Sequence, residues 1–270
     1  MPTGFNLGPI TIHYYGIIIV LGILLALVIV SREAGRRGKT LDFLIDAIPW
    51  IFLGGVIGAR IWHILTPPQS MVNHGITTSY YLTHLNEAIA IWKGGAGIIG
   101  SVMGGIIALS IVARKKGETI SVWLDIIAPG LALAQAVGRW GNFINQEVYG
   151  LPSDLPWAIT IEPLYRLPGY ESVASYHPLF LYEAILSVLN MALLLWVGRK
   201  YKDQIKSGSI FLIYLIFYGL GRVGLEFLRL DISSFMGINI NQAVMTVVVL
   251  VAGVLFIIRQ KRKPDEPLIQ

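Results

Sequence analysis

The sequence contains no cysteine, which excludes disulfides, thiolate metal sites and a cysteine nucleophile of the chain's own. Charge is also scarce. Only 14% of the 270 residues are Asp, Glu, Lys or Arg, against about 25% in an ordinary soluble domain. With 54% hydrophobic residues and a mean hydropathy of +0.65, a soluble fold of this length would lack the polar surface to cover its core. Internal repeats and low-complexity segments are missing. So is any group of ligating side chains with metal-binding spacing, and neither a metal nor another cofactor is expected. A formal charge of +5 and a pI near 9.4 would ordinarily raise nucleic acid as a partner. Here the basic residues cluster in short segments between apolar runs, and no nucleic acid is expected.

The sequence does have long apolar runs. Seven are long enough to cross ~30 Å of hydrocarbon at ~1.5 Å per helical residue. They fall near 12–31, 44–66, 91–113, 120–138, 178–197, 209–229 and 239–258. The expected fold is therefore all-α, a polytopic membrane protein of about seven transmembrane helices in one domain, 1–270. The first run does not read as a signal peptide, because no Lys or Arg precedes it and no small-residue cleavage site follows. Basic residues follow spans one (Arg32, Arg36, Arg37, Lys39), three (Arg114, Lys115, Lys116), five (Arg199, Lys200, Lys202, Lys206) and seven (Arg259, Lys261, Arg262, Lys263). The segment 67–90 has no Lys or Arg at all. Cytoplasmic loops carry the basic excess, so the N-terminus is expected outside and the C-terminus in the cytoplasm. The outer segment 139–177, with Pro152, Pro156, Trp157, Pro163 and Tyr165, is expected to form a small loop subdomain.

Ionisable groups within a span cost ~2.5–3.5 kcal/mol at its centre on the insertion scale, so each needs a reason to be there. Given this topology, Tyr14, Tyr15, Arg60, Arg139, Asn142, Asn145, Glu147, His177, Tyr182, Glu183, Arg222, Glu226 and Arg229 come from five helices yet share one depth, the outer part of the membrane. Singly, each has a bland account: a snorkelling arginine, a belt tyrosine, or an i,i+4 pair between Arg222 and Glu226. Together, several arginines with few carboxylates suggest an anionic ligand, and in an outer leaflet that is a lipid phosphate. Arginine suits phosphate because its fork binds two oxygens and stays charged. Asp125 stands apart at the inner start of span four, where a carboxylate near a helix N-terminus is expected to cap it.

The stretch Gly138-Arg139-Trp140-Gly141-Asn142-Phe143-Ile144-Asn145-Gln146-Glu147-Val148-Tyr149-Gly150 resembles the signature G-R-x-G-N-F-x-N-x-E-x-x-G of the bacterial prolipoprotein diacylglyceryl transferases, and meets all its fixed positions. His13-Tyr14-Tyr15-Gly16, Gly58-Ala59-Arg60, Trp92-Lys93-Gly94-Gly95, His177-Pro178 with Leu181-Tyr182-Glu183, and Tyr218-Gly219 with Arg222 and Glu226-Phe227 are similar to further motifs of that family. One departure is Ile99, where many members carry a His or an aromatic residue.

The resemblance implies an enzyme of the bacterial cytoplasmic membrane with its site in the outer half of the bilayer. It would move a diacylglyceryl group from phosphatidylglycerol to the lipobox cysteine of a prolipoprotein signal peptide, leaving a thioether and glycerol phosphate. Arg139 and Arg222 would hold the phosphate, Asn142 and Asn145 the headgroup. Glu147 and Glu226 would orient the arginines or bind headgroup hydroxyls, and Tyr15 would hydrogen-bond a substrate oxygen. Gly150, Arg60, Tyr182 and Glu183 complete the binding set. The base is ranked as His177, then Glu226 or Glu183, with a substrate phosphate oxygen also open. The competing readings are a transporter or flippase for an anionic lipid, and a non-catalytic scaffold.

Overall fold

The structure is a computed structural model that describes residues 4–8, 10–67, 69–72, 75–91, 97–230, 234–235 and 238–261. A short hairpin, β1 (Gly4–Leu7) and β2 (Ile10–His13), opens the chain. The helices are α1 (Tyr14–Arg36), α2 (Asp42–Leu65), α3 (Gln69–Val72), α4 (Thr78–Thr83), α5 (Leu85–Ile89), α6 (Ile98–Lys115), α7 (Ile120–Ile144), α8 (Leu179–Lys200), α9 (Ser209–Leu225) and α10 (Ile240–Lys261). Two-stranded pairs β3 (Ile159–Thr160) with β4 (Ser175–Tyr176) and β5 (Ser234–Phe235) with β6 (Ile238–Asn239) punctuate the second half. The protein is thus a helical, polytopic membrane protein. Among the described residues, six helices are long and apolar enough to cross a bilayer. Helix α6 covers 98–113 of the expected third span and runs on to Lys115; the span's Trp92–Lys93–Gly94–Gly95 motif falls outside the described residues. Val20, Leu24, Phe52, Leu250 and Ile257 are all more than half exposed. A soluble protein would bury such a surface, whereas hydrocarbon solvates it.

The chain divides into two compact units, one of 1–37 with 121–270, the other of 38–120. In the smaller unit α2 and α6 cross on glycine. A Cβ on Gly54 would stand 2.6 Å from the Gly104 carbonyl oxygen, and Gly58 and Gly100 abut each other's backbone in the same way. With lipid outside, close backbone approach supplies the dispersion contact that holds such helices together. Arg60 lies near the end of α2, where Nε donates to the Ala88 carbonyl (2.7 Å) and Nη2 to that of Glu87 (2.5 Å), satisfying the last carbonyls of α5. Its guanidinium also lies 5.4 Å from the centre of the Tyr81 ring.

In the larger unit α1 packs on α7 through Gly22, which faces the Ala134 carbonyl, and Gly130, which faces Ala26 and Val30. Ala128, Ala132, Leu194, Ile210 and Tyr214 form a core between α7, α8 and α9. Asp125 is 1% exposed and does not cap its own helix. Its two oxygens accept the backbone N–H groups of Gly208 (2.7 Å) and Phe211 (2.9 Å), so it caps α9, with Arg37 Nη1 at 3.5 Å.

Two boundaries differ from expectation in ways that matter for the site. Helix α7 runs to Ile144 rather than 138, so Arg139 and Asn142 stand on helical backbone instead of in a loop. Hydropathy falls at Arg139, but the helix continues because a carboxylate of α8 meets that charge. The sixth expected run, 209–229, resolves into α9 and a 3-10 turn, Glu226–Leu228.

Between α7 and α8 the chain folds on a small core of Tyr149, Ile161 and Tyr176. The Tyr149 hydroxyl donates to the Tyr165 carbonyl (2.9 Å) and accepts from the Leu167 N–H (2.8 Å). Burial pushes the phenols of Tyr149 and Tyr176 above their ordinary value of 10, which keeps them neutral donors.

Candidate active site

Three helices of the larger unit bring their charges to one point. Glu183, the fifth residue of α8, is 5% exposed. Its Oε2 lies 2.5 Å from Arg139 Nη2 on α7, and its Oε1 pairs with Arg222 Nη1 on α9. One carboxylate thus holds two guanidiniums, one on each oxygen. Arg222 Nη2 also reaches Glu226 Oε2 at 3.5 Å, and Arg229 reaches the same oxygen at 3.9 Å. The other Glu226 oxygen accepts the side-chain amides of Asn239 and Asn241, each at 3.3 Å. An unpaired buried carboxylate would be costly, and each of these two is met on both oxygens. A narrow cavity of about 20 Å³ runs along Glu183 and Arg222 past Ser187 to Asn190, room for about one water molecule.

The signature residues build one wall. Arg139 Nη1 donates to Asn142 Oδ1 (3.3 Å), and Asn142 Nδ2 donates to Glu147 Oε1 (2.9 Å), which also accepts from Asn145 (3.3 Å). Glu147 is presented from a distorted turn: its neighbours Gln146 and Val148 have φ of 52° and 56°. For a β-branched residue this is a genuine outlier, with a strain of about 1–3 kcal/mol. The turn is held by Glu147 N–H on the Asn142 carbonyl (2.9 Å) and by Gln146 Oε1, which accepts from Glu162 N–H (2.7 Å). Gly150 has no room for a side chain. A Cβ there would lie 2.7 Å from the Leu228 carbonyl oxygen and 2.9 Å from the Cβ of His177. Gly150 N–H donates to the His177 carbonyl and Leu151 N–H to that of Leu228, both at 2.9 Å, which ties the signature to the ends of α8 and α9. The Tyr15 ring packs against Gly141, where any side chain would collide with it.

His177 Nδ1 lies 3.1 Å from the Tyr182 hydroxyl, which accepts from Trp157 Nε1 at 2.8 Å. The structure therefore gathers Arg139, Asn142, Asn145, Glu147, Glu183, Arg222 and Glu226 into one bonded network, sets Tyr15 and Gly150 against its backbone, and makes a separate chain of Trp157, Tyr182 and His177. Arg60 belongs to the other unit, on the carbonyls of Glu87 and Ala88. Ile99 is the second residue of α6. Sequence reasoning missed Asn239 and Asn241. Their signal was available as the polar cluster Asn239–Ile240–Asn241–Gln242 at the start of an apolar run.

The fold and these groups define a polytopic membrane protein with a buried arginine–carboxylate site at one end of its helices. The chain matches the family model described as prolipoprotein diacylglyceryl transferase over residues 2–259. It is 36% identical over 277 residues to the phosphatidylglycerol–prolipoprotein diacylglyceryl transferase of Streptococcus uberis, covering all of this chain and 98% of that protein. Against the enzyme of the same name from Bifidobacterium adolescentis identity is 37%, over 98% of this chain and 80% of the relative. For that from Frankia alni it is 36% over 97% of this chain, which spans 66% of the relative's length. The chain belongs to the prolipoprotein diacylglyceryl transferase family.

Proposed function

We propose that this chain transfers the diacylglyceryl group of phosphatidylglycerol to the thiol of a lipobox cysteine in a prolipoprotein signal peptide, the first step of lipoprotein maturation. The observation that carries this reading is the grip of Arg139 and Arg222 on the two oxygens of Glu183. Two guanidiniums spaced to share one two-oxygen anion are also spaced to share a phosphate. Family membership and the names of the relatives support the donor and the acceptor. The basic segments support seven spans in a bacterial cytoplasmic membrane with the N-terminus outside. That orientation puts the arginine site in the outer half of the bilayer and residues 145–177, beyond the end of α7, outside it as a small subdomain.

The chemistry follows from the groups. A cysteine thiol of pKa about 8.5 is mostly protonated near neutrality, so the reaction needs a base. Both oxygens of Glu183 and of Glu226 are already engaged, which favours a positioning role for the two carboxylates. His177 has one nitrogen on Tyr182 and the other turned elsewhere, and it is assigned the thiol proton. The thiolate sulfur then attacks the glyceryl carbon, the C–S bond forms, and the C–O bond to phosphate breaks. Its electron pair goes to the departing glycerol phosphate, whose growing charge Arg139 and Arg222 stabilise. Asn142 and Asn145 bind the headgroup, Glu147 its hydroxyls, Tyr15 a substrate oxygen, and Tyr182 flanks the donor and acceptor. No step requires a metal.

The test uses purified protein in detergent with phosphatidylglycerol and a one-cysteine lipobox peptide, following peptide mass and glycerol phosphate release. A diacylglyceryl mass gain that vanishes with Arg139→Ala and with a serine peptide is expected, despite Ile99. No gain from folded, lipid-binding protein would overturn the proposal.

A further inference from the structure

At the opposite ends of α8, α9 and α10 from the arginine site lies a second cleft, of about 350 Å³. Val197 and Phe256, within the C-terminal parts of α8 and α10, and Ile213, near the start of α9, line it together with Ile205 of the connecting turn. One helical turn further out, Tyr201, Gln204 and Gln260 stand at its mouth. Gln260 Nε2 donates to Ser209 Oγ (3.2 Å). Among the described residues the Tyr201 hydroxyl and the Gln204 carboxamide have no side-chain hydrogen bond. The order is that of a lipid: apolar within, hydrogen-bonding at the rim. The rim is also basic. Lys200 lies over the rings of Trp196 (4.8 Å) and Tyr201 (5.6 Å). Lys202 and Lys206 belong to the turn that contributes Gln204 and Ile205, and Arg259 precedes Gln260. Against these stands one acidic residue in the turn 201–208, Asp203.

A basic segment alone serves topology. It does not need a cleft with a hydroxyl and carboxamides at its mouth. We propose that this cleft seats an anionic phospholipid of the leaflet that meets these helix ends, the inner one by the distribution of basic residues. The acyl chains would lie along Val197, Ile213 and Phe256. The phosphate would sit at Tyr201 and Gln204 among Lys200, Lys206 and Arg259. The site is separate from the one that binds the donor lipid, because Glu183 and Arg222 lie at the far ends of the same helices. Its occupant would brace α8 and α9, which carry those two residues.

The test places the full chain in phosphatidylcholine nanodiscs with a photoactivatable phosphatidic acid, which is not the proposed donor. Adducts are mapped by peptide mass spectrometry, and glycerol phosphate release is measured on the same samples with phosphatidylglycerol. Labelling of 197–213 and 256–260 is expected, falling about fivefold for each of Lys200→Gln and Lys206→Gln, since each lysine near an anionic surface supplies about that factor. Ile213→Trp, which fills the cleft, should abolish the labelling. Equal labelling by a photoactivatable phosphatidylcholine, or labelling unaffected by all three variants, would overturn the proposal in favour of ordinary boundary lipid. Displacement by inorganic phosphate would overturn it in favour of a soluble anion. None of these outcomes depends on whether transfer is observed, so the two proposals fail separately.

Discussion

Replacing Glu183 with Gln tests the central feature of the site while keeping its shape. The carboxylate meets Arg139 with one oxygen, at 2.5 Å, and Arg222 with the other. A glutamine offers one oxygen and one NH2 group. Whichever way the amide turns, a donor faces a guanidinium donor, and one arginine loses its anchor. Two consequences can be sized. Removing one partner of a buried ion pair lowers stability by ~3–5 kcal/mol. Losing one oriented donor at a developing anion lowers kcat about 10²–10³-fold, or ~2.7–4 kcal/mol. The assay is glycerol phosphate release at saturating phosphatidylglycerol, run well below the unfolding temperature of the variant. Because the arginines act on charge that grows as the C–O bond breaks, the loss is expected in kcat, with KM for the lipid moving less. A folded variant with kcat near that of the parent would refute the reasoning. It would leave Glu183 as a structural tie and put the phosphate elsewhere.

Three further outcomes are expected. Asp125→Asn leaves one of the two capped N–H groups of α9 facing an amide donor, and thermal unfolding in detergent should register a loss of about 3 kcal/mol. Gly54→Val drives a branched side chain into the Gly104 backbone, so the yield of folded protein should collapse while Gly105→Ala, whose nearest neighbour would be 3.5 Å away, is tolerated. Tyr149→Phe removes the bonds to Tyr165 and Leu167 and should destabilise the segment between α7 and α8 by ~1–3 kcal/mol, read as faster limited proteolysis there. That segment also carries an alkaline dependence. Its buried phenols have raised pKa values, so their contribution to stability is fully present below pH 10 and is lost as pH rises through the raised values. Tyr149→Phe should weaken that loss.

The helical membrane class was legible because span-length apolar runs and sparse charge leave few other folds. The charged residues that the fold gathers around Glu183 and Glu226 were legible as well, since charge inside an apolar run is conspicuous, but the amides of Asn239 and Asn241 that meet Glu226 were not. What joins them was not. Nothing in the order of residues says that Glu183, rather than Glu226 or Glu147, stands between Arg139 and Arg222, because that depends on the rotation of three helices about their axes. For the same reason Asp125 reads as the cap of the helix that contains it, yet it serves α9, more than 80 residues later. The end of α7 was misjudged because hydropathy records what lipid tolerates, whereas Arg139 is sheltered by Glu183 and the helix passes through it to Ile144.

The larger unit is interrupted in sequence: α1 belongs to it, but its partner α7 follows only after the whole of 38–120. During synthesis at about 5–20 residues per second, roughly 4–17 s separate the emergence of α1 from that of α7. Through that interval the seam at Gly22, and Tyr15 with it, faces lipid or the insertion machinery instead of its eventual neighbour. Helix α1 therefore has to be stable in the bilayer alone, and its long uninterrupted apolar run from Ile17 to Val30 suits a segment that enters well before its partner.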